Sequence, residues 1–504
     1  MKSKINKKLE SAFANSCVRN ILIDELNAFP LWYYCMKDMI RIKESANMMG
    51  GSYFNRNDIK YTSKRAGRWI THIFSKKYQD NTDVLFISRD RFVKIESVSD
   101  NLVSDSLFFS IISELSTQHP DINLNLLCKA SPPKNLNIKA VNVDSYTKFS
   151  DLLNSAFFSV KKIIQWRINK YYLANRMNPD KSIDSHILYS LDSFFSLVNL
   201  GYYSIVDYCY YNALKKLNPR VVISNDDVLQ FKPRSKNNYL KFITLQSSTI
   251  SPSNETYQRK FIHEFGSESI RSDYFICQGE YFKKLKDYSN TSKKVVVMGQ
   301  PRYDILAHAS EIYDKSKIVM DLGLDPNKKI ILWCTQTHGM SSEENISSIN
   351  AVYNTMTSLK DEVQLVIKLH PSEDQDAPLY YDNTSYKPVI LKKDVDTNAL
   401  LYSCEMMITK NSTTAMEAVI LNKPVIVLNL SGDPDQVNFV SEGVALGVYD
   451  QVDLFSATKK ILDDNSILHE KREEYIKKYL YKIDGKATER VVNLIISLLD
   501  ESKS

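Results

Sequence analysis

Residues 406–428 limit the fold of this chain more than any other stretch. An apolar run, Met-Met-Ile-Thr, leads into the turn Lys410-Asn411-Ser412-Thr413-Thr414, then a short helical pattern and a second apolar run, Val-Ile-Val-Leu. Apolar runs without alternation suit strands covered on both faces, as in parallel sheets. The hydroxyl-rich turn therefore sits where a strand hands over to a helix. Free backbone N–H groups and the positive end of the helix dipole favour an anion such as phosphate at that point. Glu417 follows about one helical turn later, placed to accept from sugar hydroxyls. The plainer alternative is an ordinary Ser/Thr helix cap, with Glu417 as its capping-box partner.

Two further strand ends fit the same scheme. The run 363–369 reads as a buried strand that passes straight into His370-Pro371. Ligands of open α/β sheets gather beyond the carboxyl ends of strands. A histidine there, with proline fixing the backbone after it, can meet a phosphate or donate a proton. The run 329–335 ends in Thr335-Gln336-Thr337-His338-Gly339, before a helix expected from about Ser342 with Glu343 and Glu344 in its first turn. Upstream, a strand over 295–298 closes in Gly299-Gln300-Pro301-Arg302-Tyr303-Asp304.

The order GQPRYD, TQTH, KLHP and KNSTTAMEAVILNKPVIVLN resembles the carboxyl half of bacterial surface-polysaccharide glycosyltransferases of the GT-B fold. That group includes capsule-synthesis transferases, sialyl- and Kdo-type transferases with an HP motif, and CDP-glycerol glycerophosphotransferases of teichoic-acid synthesis. The resemblance spans roughly residues 220 to 465. It implies two Rossmann-like domains with parallel sheets facing a cleft, the carboxyl-terminal one holding a nucleotide-activated donor. It implies that His370 contacts the donor phosphate, that Ser412 and Thr413 bind phosphate, and that Glu417 reads the ribose. Thr335, His338, Pro371, Asn411, Thr414 and Arg302 complete the expected donor site. Relatives often carry QHG after the last amino-domain strand, whereas this chain has Leu-Gln-Ser-Ser-Thr at 245–249, so no acceptor-side histidine is carried over.

Composition narrows the class. The chain has 504 residues, 43% hydrophobic and 25% charged, enough for two or three domains with full cores. No apolar run is long enough to span a bilayer, and the start lacks the apolar core of a secretory signal. Seven scattered cysteines without metal-ligand spacing indicate reduced thiols and no structural zinc. Residues 1–80 hold 15 Lys/Arg against 7 Asp/Glu, more than the whole excess of the chain, whose net charge is +6. With Trp32, Tyr33 and Tyr34, and with Lys64, Arg65, Arg68 and Trp69, that region reads as a solvated helical layer whose aromatics are core. Its alternative is a face resting on an anionic membrane or gripping an acidic glycan. No nucleic-acid-binding motif accompanies the charge.

Strands are expected at 82–88, 122–128 (half-buried, from its alternation), 138–143, 220–224, 240–245 and 274–277. Long helical patterns over 149–177 and 185–217 carry Phe and Tyr at helical spacing, for which core packing is the default. The expected organisation is a basic helical extension (1–80), an amino-terminal Rossmann-like acceptor domain (81–310) and a carboxyl-terminal donor domain (311–504). The last helix, about 487–499, is expected to complete the second domain or cross back to the first.

These features point to a cytoplasmic glycosyltransferase, associated with the inner face of the plasma membrane and independent of a metal or other cofactor. It would move a sugar, with an HP-motif lean toward a CMP-linked acidic sugar, onto a surface glycan or lipid-linked glycan. Asp226 and Asp227, at a strand end, are the expected catalytic bases, with Asp90 and the pair His263-Glu264 behind them. His370, the Ser412 helix start, Arg302 and Lys410 would stabilise the leaving phosphate. The alternatives are a CDP-glycerol-type glycerophosphotransferase, a nucleotide-sugar 2-epimerase and a silent binding subunit.

Overall fold

The computed structural model describes residues 56–73, 81–88, 90, 92–94, 103–176, 192, 195–225, 240–246, 272–287, 292–336, 340–370, 373, 380, 386–392, 395–435 and 437–501. Two parallel sheets organise them. The first contains β1 (Val84–Ile87), β2 (Leu124–Cys128), β3 (Ala140–Asn142), β4 (Val221–Asn225), β5 (Lys241–Leu245), β6 (Ser272–Cys277) and β7 (Ser292–Val297) in the order β3-β2-β1-β4-β5-β6-β7. The second contains β8 (Lys329–Cys334), β9 (Val363–Lys368), β10 (Val389–Leu391), β11 (Met406–Thr409), β12 (Val425–Leu428) and β13 (Ala445–Val448) in the order β10-β9-β8-β11-β12-β13. Every pairing in both is parallel. Both sheets thus show the doubly wound order in which chain direction across the sheet reverses once. The reversals lie between β1 and β4 and between β8 and β11, where crevices open beyond the carboxyl ends. Helices on both faces explain the unbroken apolar strands. β1, β11 and β12 are buried at all four positions.

The segment 122–128 departs from expectation. It lies between β1 and β3, and its polar Asn125 is buried, donating through Nδ2 to Thr82 Oγ1 at 2.8 Å. Alternation suggested a half-wet strand. A side-chain hydrogen bond lets the amide lie inside instead.

Helix α1 (Arg56–Ile73) resolves part of the basic region. Trp69 is core and donates from Nε1 to Asp144 Oδ1 at 2.9 Å. Arg65 is buried with it, its Nε 2.8 and 3.0 Å from the two Asp144 oxygens, and Arg68 approaches the same carboxylate at 3.2 Å. This part of the basic face is structural, as the plainer reading held. Residues 1–55, with Trp32, Tyr33 and Tyr34, lie outside the described residues. α2 (Phe149–Arg176) packs on α3 (Leu197–Leu217), which covers one face of the first sheet through Cys209, Tyr210, Ala213 and Leu217. Tyr210 is core as expected, but the outward residues of α2 are not: Phe157 is 76% exposed.

The last helix, α6 (Ala487–Glu501), crosses back. Val491, Val492, Ile495, Leu498 and Leu499 pack with Val84, Phe86, Val221 and Ile243 of the first sheet and with Phe108, Ile111 and Leu115. The crossing is tight. Tyr481 N–H donates to Gln278 O at 2.7 Å, and a side chain at Gly279 would strike the Tyr479 carbonyl. Asp304 caps α6 by accepting from Ala487 N (3.0 Å) and Thr488 N (2.6 Å). The five described cysteines are buried and form no disulfide. Among the described residues no helix is long and apolar enough to cross a membrane.

The Asp144 cluster gives a stability prediction. Replacing Asp144 by Ala leaves the buried Arg65 guanidinium without its carboxylate and should cost about 3–5 kcal/mol. Urea unfolding curves of the two proteins test this; a loss under about 1 kcal/mol would show that the cluster is inessential.

Candidate functional site

The carboxyl edge of the second sheet forms one continuous surface at its reversal point. Beyond β8, Thr335 Oγ1 accepts from His370 N–H at 3.2 Å and donates to Glu373 Oε1 at 2.8 Å, tying the end of β8 to the HP turn after β9. Tyr380 holds the other Glu373 oxygen at 3.3 Å. On the other side, Gln336 Oε1 accepts from Asn411 N–H at 2.7 Å and from Thr409 Oγ1 at 3.4 Å, tying β8 to the turn after β11. Thr335, His370 and Asn411 are thus brought together by residues on neighbouring strands. Gln336 and Glu373 were not among the expected site residues. Their only sequence signal is proximity to strand ends, in TQTH and three positions after His370.

The hydroxyl-rich turn feeds α5 (Thr414–Ile420). Ser412 is buried and accepts at Oγ from Thr414 N–H at 3.2 Å, while Thr413, at the cap position, makes no side-chain cap bond. Instead of a capping box, Glu417 meets Arg302. Its Oε1 lies 3.4 Å from Arg302 Nη2, which also donates to Tyr303 Oη at 2.9 Å. Glu417 Oε2 and Arg302 Nε are buried yet have no hydrogen-bond partner among the described residues. Burial pushes the Glu417 carboxyl above the usual carboxylate range, and the Arg302 charge opposes that shift. The ion pair joins the segment after the first sheet to a helix of the second. It leaves one carboxylate oxygen and one guanidinium N–H uncommitted.

Lys410 is held by Glu344 in the first turn of α4 (Ser342–Ser358), which Ser341 caps through Glu344 N–H at 3.1 Å. Both side chains are nearly buried, 12% and 6% exposed. Lys410 borders an open hollow that Trp333, Gln336, Asn345 and Tyr380 also line. Lys410 is therefore a fixed cation, already neutralised. Asp433 and Asp435, the nearest spacing match to a metal motif, close a turn: Asn429 Nδ2 reaches Asp433 O and Asp435 Oδ1, both at 2.9 Å.

On the first sheet, Asp90 stands beyond β1 at φ 58°, its oxygens accepting from Lys129 N–H (3.0 Å) and Ala130 N–H (2.9 Å). Those bonds fix the ends of β1 and β2. Gln246, where relatives carry QHG, is buried: its Oε1 accepts from Gln278 N–H at 3.2 Å and its carbonyl from Gln300 Nε2 at 2.6 Å. Glutamines thus link the ends of β5, β6 and β7. Asp226, Asp227, His338, Pro371 and the His263-Glu264 pair lie outside the described residues.

Comparison with known proteins agrees with this architecture. The wall teichoic acid polymerase TagF has a similar fold, with TM-score 0.51 at 14% identity over 94% of this chain and 99% of that one; the matched form had been soaked with CDPG. A second TagF structure matches with the same TM-score, identity and coverage. The teichoic acid poly(ribitol-phosphate) polymerase of Bacillus spizizenii (strain ATCC 23059 / NRRL B-14472 / W23) is 23% identical over 252 residues, 46% of this chain. That match spans 36% of the relative's own length. The likeness to TagF establishes the two-sheet, GT-B-like fold. A family model described as CDP-Glycerol:Poly(glycerophosphate) glycerophosphotransferase matches residues 154–497, well over half of the chain. From the group named by its motifs, the chain therefore belongs to the CDP-glycerol:poly(glycerophosphate) glycerophosphotransferase family.

Proposed function

We propose that this protein transfers a polyol-phosphate unit from a CDP-linked polyol to the hydroxyl end of a growing surface polymer. The family match supports a CDP-polyol donor over the sugar nucleotide expected from the HP motif. The observation that carries the donor side is the joined strand edge: His370, Thr335 and Gln336, the 411–414 turn, and the Arg302–Glu417 pair with its uncommitted atoms.

The acceptor hydroxyl oxygen attacks the phosphorus bonded to the polyol. A new P–O bond forms, the bond to the bridging oxygen breaks, and CMP leaves. The acceptor proton passes to a base. We assign that base to Asp226 or Asp227, which follow Asn225 at the end of β4 beside the first sheet's reversal point. Asp90 is not assigned, because its oxygens hold two backbone amides. His370 contacts the departing phosphate, and Ser412 and Thr413 bind it at the start of α5. Glu417 Oε2 accepts from a ribose hydroxyl. His338, Pro371, Asn411 and Thr414 frame the donor site, and the acceptor is a glycan or polyol-phosphate chain, free or lipid-linked.

Thermal unfolding with CMP, CDP, UDP and GDP tests the donor assignment. A cytidine nucleotide at a hundredfold excess over its dissociation constant should stabilise the protein by about 2.7 kcal/mol. His370→Ala should abolish most of that shift. Selective stabilisation by UDP or GDP would sink the CDP-polyol reading in favour of sugar transfer, and no shift with any nucleotide would remove the donor site altogether. CMP release from CDP-glycerol, dependent on Asp226 or Asp227, is the direct assay of turnover.

Two predictions concern the site's construction. Gln336→Ala strips the acceptor from Asn411 N–H and should lower stability by about 1–3 kcal/mol, measured by urea unfolding, while weakening cytidine nucleotide binding. For Glu417, ribose binding needs the ionised carboxylate, and its pKa is raised. Affinity should fall as pH drops from neutrality through that raised pKa, because the proton removes the charged acceptor. Glu417→Gln should bind about tenfold more weakly at neutral pH and lose this component of the pH dependence. Calorimetric titration of both proteins with CMP decides the point; parallel pH profiles would assign the dependence to another group.

A further inference from the structure

Cations at the carboxyl edge of the second sheet differ in what they face. Arg302 is engaged by Glu417, and Lys410 by Glu344. Lys368, the last residue of β9, has no such counterion: among the described residues its ammonium group makes no ion pair and no hydrogen bond. Glu373 acts on it through space, but its two oxygens accept from the hydroxyls of Thr335 (2.8 Å) and Tyr380 (3.3 Å). The side chain is half-buried. Burial pulls its pKa below the ordinary lysine value, with Cys334 and Glu373 opposing the shift. An uncompensated charge held partly out of water destabilises the fold, and an apolar side chain of similar length would not.

Strand alternation sets the direction of this side chain. Leu365, Ile367 and Leu369 pack in the core on one side of the sheet. Val366 packs on the other, with Ala415, Met416 and Val419 of α5. Lys368 shares the parity of Val366 and so extends on the α5 side. Its register partner there is Cys334, at the end of β8. Burial pushes the Cys334 thiol up, and the charges of Lys368 and Glu417 both act on it. The ammonium therefore lies on the same face, and around the same residue, as the carboxylate assigned to the ribose. The backbone beneath is rigid: Thr335 N–H donates to Lys368 O at 3.2 Å, and Thr335 Oγ1 accepts from His370 N–H at 3.2 Å. Lys368 and His370 thus issue from one locked segment.

An ammonium group carries three donors and a full charge, so an anionic oxygen satisfies it and a neutral polyol does not. The transfer step supplies that oxygen. When the bond to the bridging oxygen breaks, its electron pair stays with CMP, whose phosphate passes from one negative charge to two. We propose that Lys368 is a catalytic residue whose ammonium contacts the phosphate that stays with the cytidine and offsets the charge built up there. The assignment rests on the donor reading above and adds to it a fixed cation that Arg302 and Lys410, already paired, do not supply.

Calorimetric titration of the full chain with CMP and with cytidine, for the native protein, Lys368→Met and Lys368→Arg, tests the contact. Without ligand, Lys368→Met should melt at or above the native temperature, because it removes an uncompensated charge. It should bind CMP about ten- to hundredfold more weakly, yet bind cytidine, which has no phosphate, as the native protein does. Lys368→Arg should recover most of the CMP affinity. In CMP release from CDP-glycerol, Lys368→Met should lower kcat by about 10²–10³-fold with a smaller change in KM, since the second charge exists only as the bond breaks. The proposal is overturned if Lys368→Met binds CMP like the native protein, or if its affinities for CMP and cytidine fall together. A clear fall in its melting temperature would show that the charge has a partner within the fold, and that too overturns it. A native protein that binds neither CMP nor cytidine would instead sink the donor reading and this assignment with it. Native CMP binding that Lys368→Met leaves intact sinks the assignment alone.

Discussion

The parallel geometry of the second sheet governs much of what this protein can do. Its crossovers leave β8 and β11 in opposite directions, so two neighbouring strands part at their carboxyl ends and leave a crevice that regular hydrogen bonding cannot close. Side chains close it instead. Gln336 accepts from the backbone of the β11 turn, and Thr335 bridges to the HP turn. These bonds fix the conformation of the turn that leads into α5. The rigid frame is apolar and indifferent to chemistry; the polar edge that it exposes is where chemistry resides.

The first sheet ties its carboxyl edge with different residues. Beyond β1, on the side of β2, Asp90 takes two backbone amides, and Asp105 accepts from Ser88 Oγ at 2.5 Å while capping the helix Phe109–Gln118 through Leu107 and Phe108 N–H. Burial holds both carboxyls above their usual range, a cost borne by the hydrogen bonds around them. The ion pair of Arg302 and Glu417 links the two halves across the connection between the sheets.

Much of this was legible in the sequence, for physical reasons. Buried parallel strands are short unbroken apolar runs, so 329–335, 363–369 and 406–409 could be read without a structure. The residues just after such runs must occupy the carboxyl edge, which is why Thr335, His370 and Asn411 were found. Long-range pairing was not legible. Glu417 fits a capping box by spacing, yet it pairs with Arg302, more than a hundred positions away. Helical periodicity shows that the aromatics of α2 share a face but not what covers it, so Phe157 read as core and proved exposed. Alternation misled at Asn125, where one hydrogen bond replaced water.

The returning helix α6 has a consequence for how the chain is made. Val84, Phe86 and Val221 leave the ribosome long before Val491, Ile495 and Leu498, which cover them. Throughout synthesis of the second sheet, one apolar face of the first lacks its native cover. The amino-terminal half therefore completes its native core only after the second sheet has been made, with part of that face open to wrong partners meanwhile. The long delay between making a surface and covering it sets the period in which a nascent chain of this architecture is most prone to aggregate.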